Sequence, residues 1–325
     1  MAAREFVTTV GASSGSTVTG ISPSEKGQPG GVATLDSGGV VPTAQLPDPA
    51  LTPSASTVYV AKHGSNADDG LALDRPKLTL GAALTAAAAL LVAGAPGVRV
   101  EVVDGGEYTE NITVPSQVYV NASAATLRGT VGMDAGAEVF VDRQFSTSDN
   151  QALVTLDNAG EGPAIFQCNV QDGRGHTGVQ NVRNIGGGGK NLFARVGIMY
   201  VGVDGVGVGD FTSGFGHIHV EIEDLYLGGS GGVGISAGAL GGPNAAYIVG
   251  IIHHILPITP EPASTTAIRL SNAAAVVRLV AAEVRAVTAY DITAGSLNLM
   301  TPFIEGARVG TPVFELSPMT FPEGA

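Results

Sequence analysis

The chain has 325 residues, of which 44% are hydrophobic and only 14% charged, so it has ample material for a core and is not a disordered polymer. Its 47 glycines follow no three-residue period, which excludes collagen and points to an all-β chain with many tight turns. A formal net charge of −13 repels phosphate backbones, so nucleic acid is not an expected partner.

The stretch 1–56 is rich in Gly, Ser, Thr and Pro, with few large apolar side chains, as in Gly11-Ala12-Ser13-Ser14-Gly15-Ser16. Such a segment cannot bury enough apolar area to order itself alone. It is expected to be extended and to order only against partners or sister chains. Val32, Leu35, Val40, Val41 and Leu46 stand in it as single apolar pegs on a polar strip. Met1–Phe6 is followed by Thr, Gly and Ser rather than an apolar run, so no secretion signal is expected. The Ala-rich run from Gly81 to Gly94 falls short of the roughly 20 residues that cross a bilayer, so no membrane insertion is expected.

From Thr57 the pattern changes. Val58-Tyr59-Val60 reads as a strand, Asn66-Ala67-Asp68-Asp69-Gly70 as a turn, and the Ala-rich run as a helix. Ala83, Leu84, Ala87, Leu90 and Leu91 share its inner face. Short strands are predicted next at Val98–Val103, Ile112–Pro115 and Gln117–Val120. Further apolar runs follow at Ala137–Val141, Leu153–Leu156, Leu192–Val203, Ile218–Ile222, Ala246–Ile252, Ala267–Leu270, Val276–Val280 and Leu297–Met300. Thr311–Pro318 reads as a closing strand. Runs recurring at roughly 20–30 residues suit solenoid coils, each held by its neighbours. Gly231–Gly238 and Tyr290–Gly295 look like a repeated turn entry. A β-sandwich is the rival fold.

Two stretches carry resemblances. Lys26-Gly27-Gln28-Pro29-Gly30-Gly31-Val32-Ala33-Thr34-Leu35-Asp36 through Gly39-Val40-Val41-Pro42-Thr43-Ala44-Gln45-Leu46-Pro47 resembles a motif recurrent in bacteriophage tail fibres and spikes. The alternative is a plain linker. Val58–Leu84, with Arg75-Pro76-Lys77-Leu78-Thr79, resembles the opening of pectate-lyase-like β-helix proteins, in which an Ala-rich helix plugs the end of the solenoid. Together they imply an all-β chain with three parts. The first is a virion-attachment and trimerisation segment over 1–56. A right-handed parallel β-helix follows over 57–318, with its capping helix, and then a tail over 319–325. The implied role is a homotrimeric tailspike or tail fibre, bound to tail or portal/adaptor proteins through 1–56 and touching host surface glycan. Alternatives are a polysaccharide-degrading tailspike with carboxylates in an intersubunit groove, and a capsid-bound head fibre. The implied location is the virion, after assembly in a bacterial cytoplasm. The single Cys168, in a strand-like run, fits that compartment and reads as a buried, inert thiol.

The sharpest local pattern is Gly216-His217-Ile218-His219-Val220-Glu221-Ile222-Glu223-Asp224. Strand alternation puts His217, His219, Glu221 and Glu223 on one face and the apolar residues on the other. Three readings stand: a solvated or intersubunit polar face, a His-x-His metal site at His217 and His219, and a Glu221–Glu223 pair for glycoside cleavage. Asp204 and Asp210 flank a Gly-rich stretch, as turn-capping residues or as a catalytic pair. Gly186–Lys190 lacks the Ser/Thr and spacing of a phosphate loop. His253 and His254, being adjacent, are expected on opposite faces of a regular strand. Asn-Thr-Asp, Gly-His-Gly and Arg-Ile-Lys motifs of pectin-active enzymes are absent, and aromatic residues are only 5% with no Trp, which argues against an extensive sugar platform. No cofactor is expected.

Overall fold

Alternating burial along short strands, and the way those strands pair, decide the fold. The computed structural model describes residues 57–160, 162–184, 191–210, 216–238, 246–259, 262–312 and 314–316. The first elements are β1 (Thr57–Val60), α1 (Leu80–Val92), β2 (Val98–Val102), β3 (Glu107–Thr109), β4 (Ile112–Val114) and β5 (Val118–Arg128). The middle comprises β6 (Val131–Ala135), β7 (Glu138–Phe145), β8 (Ala152–Gly160), β9 (Ala164–Asp172), β10 (Gln180–Asn184), β11 (Asn191–Val201) and β12 (Val206–Asp210). The last are β13 (Gly216–Leu227), β14 (Gly232–Ala237), β15 (Ala246–Pro257), β16 (Thr265–Val280), β17 (Glu283–Met300), β18 (Ile304–Val309) and β19 (Phe314–Leu316). β19 is the expected closing strand.

Every pairing among these strands is parallel, and most strands pair with the one two places ahead. One column runs β5–β7–β9–β11–β13–β15, and a second runs β4–β6–β8–β10–β12–β14. Most coils thus add one short and one longer strand, and β8 and β9 are of equal length. This is a parallel β-helix, and it excludes the antiparallel sandwich. Inward residues stack coil on coil: Val58, Val100, Val120, Val139, Phe166, Ala194 and Val220 lie in register and are buried. Ala267–Leu270 and Val276–Val280, two runs in the sequence, belong to one strand, β16, with a register shift at Ser271. The expected attachment segment 1–56, the loop Gly186–Lys190 and the expected tail 319–325 lie outside the described residues.

Helix α1 closes the first coil. Leu80, Ala83, Leu84 and Ala87 are buried against β1, β2 and β4, with Leu90 and Leu91 packed beside them. Thr79 caps its N-terminus, accepting from the Ala82 amide at 3.2 Å. The Glu110 carboxylate accepts from the Leu80 and Gly81 amides at 3.0 and 2.9 Å, satisfying two more free amides where the helix dipole favours an anion. Among the described residues no helix is long and apolar enough to cross a membrane.

The true repeated turn differs from the expected one. Asn150, Gly178, Asp204 and Gly231 take positive φ values of 53°, 70°, 50° and 76°. Each donates its amide to the next coil: Asn150 to the Thr177 carbonyl, Gly178 to Val203, Asp204 to Ser230 and Gly231 to Ser264. The repeat lies in backbone shape, which Gly, Asn and Asp all tolerate, rather than in a shared residue. Ile235 lies in register with Ile268 and so with Tyr290, two places before Ile292, so the Gly231–Gly238 and Tyr290–Gly295 stretches are not equivalent.

Candidate functional site

Strand β13 alternates as its sequence demands. Ile218, Val220 and Ile222 are buried, while His217, His219, Glu221 and Glu223 face outward. The neighbours that complete a site come from other coils. In register, Phe140, Gln167, Arg195, Glu221 and Ile251 form one outward row. Beside it, Ile165, Phe193, His219 and Val249 form a second.

Past these rows the strands turn a corner. Alternation breaks there, and two consecutive residues face outward on each coil: Asp142–Arg143, Asn169–Val170, Gly197–Ile198, Glu223–Asp224 and His253–His254. His253 and His254 therefore both face outward, contrary to the expectation for a regular strand. They still serve different places. His254 Nδ1 lies 2.8 Å from Asp224 Oδ1 beyond the corner, whereas His253 borders the groove before it.

That groove has a volume of about 410 Å³ and is lined mainly by Phe140, Gln167, Asn169, Arg195, Glu223 and His253, with Glu221 at its edge. A second, of about 300 Å³, adjoins it, shares Gln167, Arg195 and Glu221, and is lined otherwise by Ile165, Phe193, His219, Val249 and Ile251. The two form one outer trough across β7, β9, β11, β13 and β15, polar at one end and apolar at the other. Arg195 Nη2 lies 3.2 Å from Glu221 Oε1, with both side chains more than half exposed, so the pair is a weak one. Glu223 has no hydrogen-bonding or ion-pair partner among the described residues. Cys168 lies in the floor, its thiol donating to the Val170 carbonyl at 3.1 Å, and burial pushes its pKa up to about 12, so it is no nucleophile.

The His219 ring stacks on Phe193, with centroids 4.5 Å apart and planes 10° apart, and His217 meets Tyr247 edge-on at 4.7 Å. The His217 and His219 rings are 6.4 Å apart. Among the described residues no three His, Cys, Asp or Glu side chains are grouped to hold a metal ion, so the His-x-His pair stands without a third protein ligand of that kind. Asp204 is a turn residue of the positive-φ ladder, with its carboxylate beside Gly231. Asp210 closes β12 by pairing with Asn184 and Ala237, and its side chain lies outside the described residues.

Burial, and then the neighbouring His217, hold the His219 pKa below its ordinary value. The folded state therefore favours neutral His219. As pH falls below about 6.5, the unfolded chain takes up the proton first, and stability declines until the folded state also protonates. Replacing His219 with Phe keeps a ring on Phe193 and removes the proton. The H219F variant is expected to show a flatter unfolding midpoint between pH 7 and 5 in parallel denaturant titrations. An unchanged slope would assign the acid sensitivity to other groups.

The sequence identified β13 and the two glutamates that border the trough. It did not identify Phe140, Gln167, Asn169, Phe193, Arg195 or His253, which join the trough from other coils. A spacing of about 27 residues, carried through the strand phase, is the signal that places them there. No family model matches the chain, and no curated protein or solved structure matches it either.

Proposed function

We propose that this chain is a structural appendage of a bacteriophage virion, a tailspike or tail fibre subunit, whose solenoid presents the outer trough to a host surface glycan. The observation that carries this reading is the trough itself. It crosses five coils on one face and combines apolar rings with amide, carboxylate and guanidinium groups. Extended glycans suit such a surface, because pyranose C–H faces pack on rings while hydroxyls need both donors and acceptors. The resemblance of Gly31–Pro47 to phage tail motifs supplies the virion context and the attachment to tail or portal/adaptor proteins.

A homotrimer follows from the same reading. The outward row that holds Glu221 continues through Ile251, Val280 and Met300, all nearly half exposed. A contiguous apolar row of this kind favours cover by a sister chain. Sedimentation at micromolar concentration is expected to give three chains per particle, and a monomer would count against the assembly.

Cleavage is the second reading, favoured by Glu221 and Glu223 bordering one groove. Purified protein incubated with host capsular or lipopolysaccharide glycan separates the two. Binding with unchanged glycan length supports an adhesin, and shortened glycan supports a depolymerase. Neither binding nor shortening would reject the glycan-contacting role.

A further inference from the structure

Resting on the glycan-binding reading, we infer that the trough selects uncharged glycans and rejects those bearing carboxylate, sulfate or phosphate groups. The inference comes from the charges around it. Arg195 is the one arginine among the described residues lining the two grooves, and it lies 3.2 Å from Glu221. Glu223 borders the polar groove with no ion-pair partner among the described residues. His219, at the apolar end, is held toward its neutral form by burial and by His217.

An acidic sugar entering here meets one more carboxylate than guanidinium, because Arg195 offsets Glu221 and leaves Glu223 unmatched. It also approaches a chain whose formal net charge is −13. Both effects slow its encounter and weaken its docking. A neutral sugar meets no such barrier. Its hydroxyls donate to Glu223 and to the Gln167 amide oxygen, and its apolar face packs on Phe140 and the exposed edge of Phe193. The carboxylates thus act as hydroxyl acceptors and as a charge filter at once.

The test uses the full-length protein on an immobilised array of bacterial surface polysaccharides, with neutral and acidic repeat units side by side, in about 0.15 M salt to screen long-range effects. The expected result is binding confined to neutral polymers. The E221Q/E223Q double variant changes two exposed side chains, so its fold is expected to persist. It releases Arg195 from its partner and removes both negative charges. It is expected to gain about tenfold or more in affinity for acidic polymers. Wild-type protein that binds acidic polymers as tightly as neutral ones would overturn the charge filter while leaving the glycan-binding reading intact. A double variant with no gain on acidic polymers would overturn it too. Binding to no polymer of either kind would remove the glycan-binding reading, and this inference with it.

Discussion

Replacing Phe166 with Ala is expected to lower the stability of the solenoid by about 3–5 kcal/mol, the range for emptying a fully buried aromatic site. Phe166 has no exposed surface and ranks among the largest fully buried side chains. In register it stands between Val139 on one coil and Ala194 on the next. The small Ala194 is what makes room for the ring, so no neighbour of similar size can fold into the space it leaves. Coils are held by their neighbours, so the loss falls on the β7–β9 and β9–β11 steps rather than on the whole stack. Hydrogen exchange is therefore expected to quicken first in β7, β9 and β11, with β2 and β4 under the capping helix protected longer. Equilibrium denaturation gives the magnitude. A change below about 1 kcal/mol would mean that the ring is not packed as described.

How much of this was legible in the sequence depends on the scale of the signal. Local alternation is short-range chemistry, and it located β13 and its buried face, while apolar runs marked the places of β7 and β11. The helix that closes the first coil was legible as well, because Ala83, Leu84 and Ala87 repeat at helical spacing beside an open solenoid end. Glu110 was not legible as its cap. It lies thirty positions from Leu80 in sequence and reaches the helix only because β3 and β4 wrap beneath it. The corner that turns both His253 and His254 outward breaks the two-residue period without any Gly or Pro to announce it. Asp204 and Gly231 were legible as turn residues, but their equivalence with Asn150 and Gly178 was not, because the four share a backbone angle and no side chain. The carboxylates of the trough were visible on one strand. Their neighbours were not, since a site assembled across coils depends on register, and register follows from coil lengths that vary.

Gly250 carries the second large effect, and Gly250→Ala is expected to cost about 3 kcal/mol or more, above the usual range for overpacking a core. A Cβ at this position would lie 2.0 Å from the Val220 carbonyl oxygen and 2.6 Å from its Cγ2. The oxygen belongs to the backbone of the paired strand, so no rotamer relieves the contact. Gly250 pairs in register with Val220 on β13 and with Leu279 on β16. Relief therefore requires β13 and β15 to separate, which costs their shared hydrogen bonds and shifts Val249 and Ile251 at the apolar end of the trough. Gly132→Ala on β6 is the matched control, because its new methyl meets the Thr113 hydroxyl at 3.3 Å, a group that can rotate away. Denaturant titration of the two variants separates the causes. A large loss in the Gly250 variant beside a small one in the Gly132 variant assigns the cost to the close approach of two coils. Equal losses would instead assign it to the general strain of a methyl group added to a parallel sheet, and the tight β13–β15 step would then have no special part in shaping the trough.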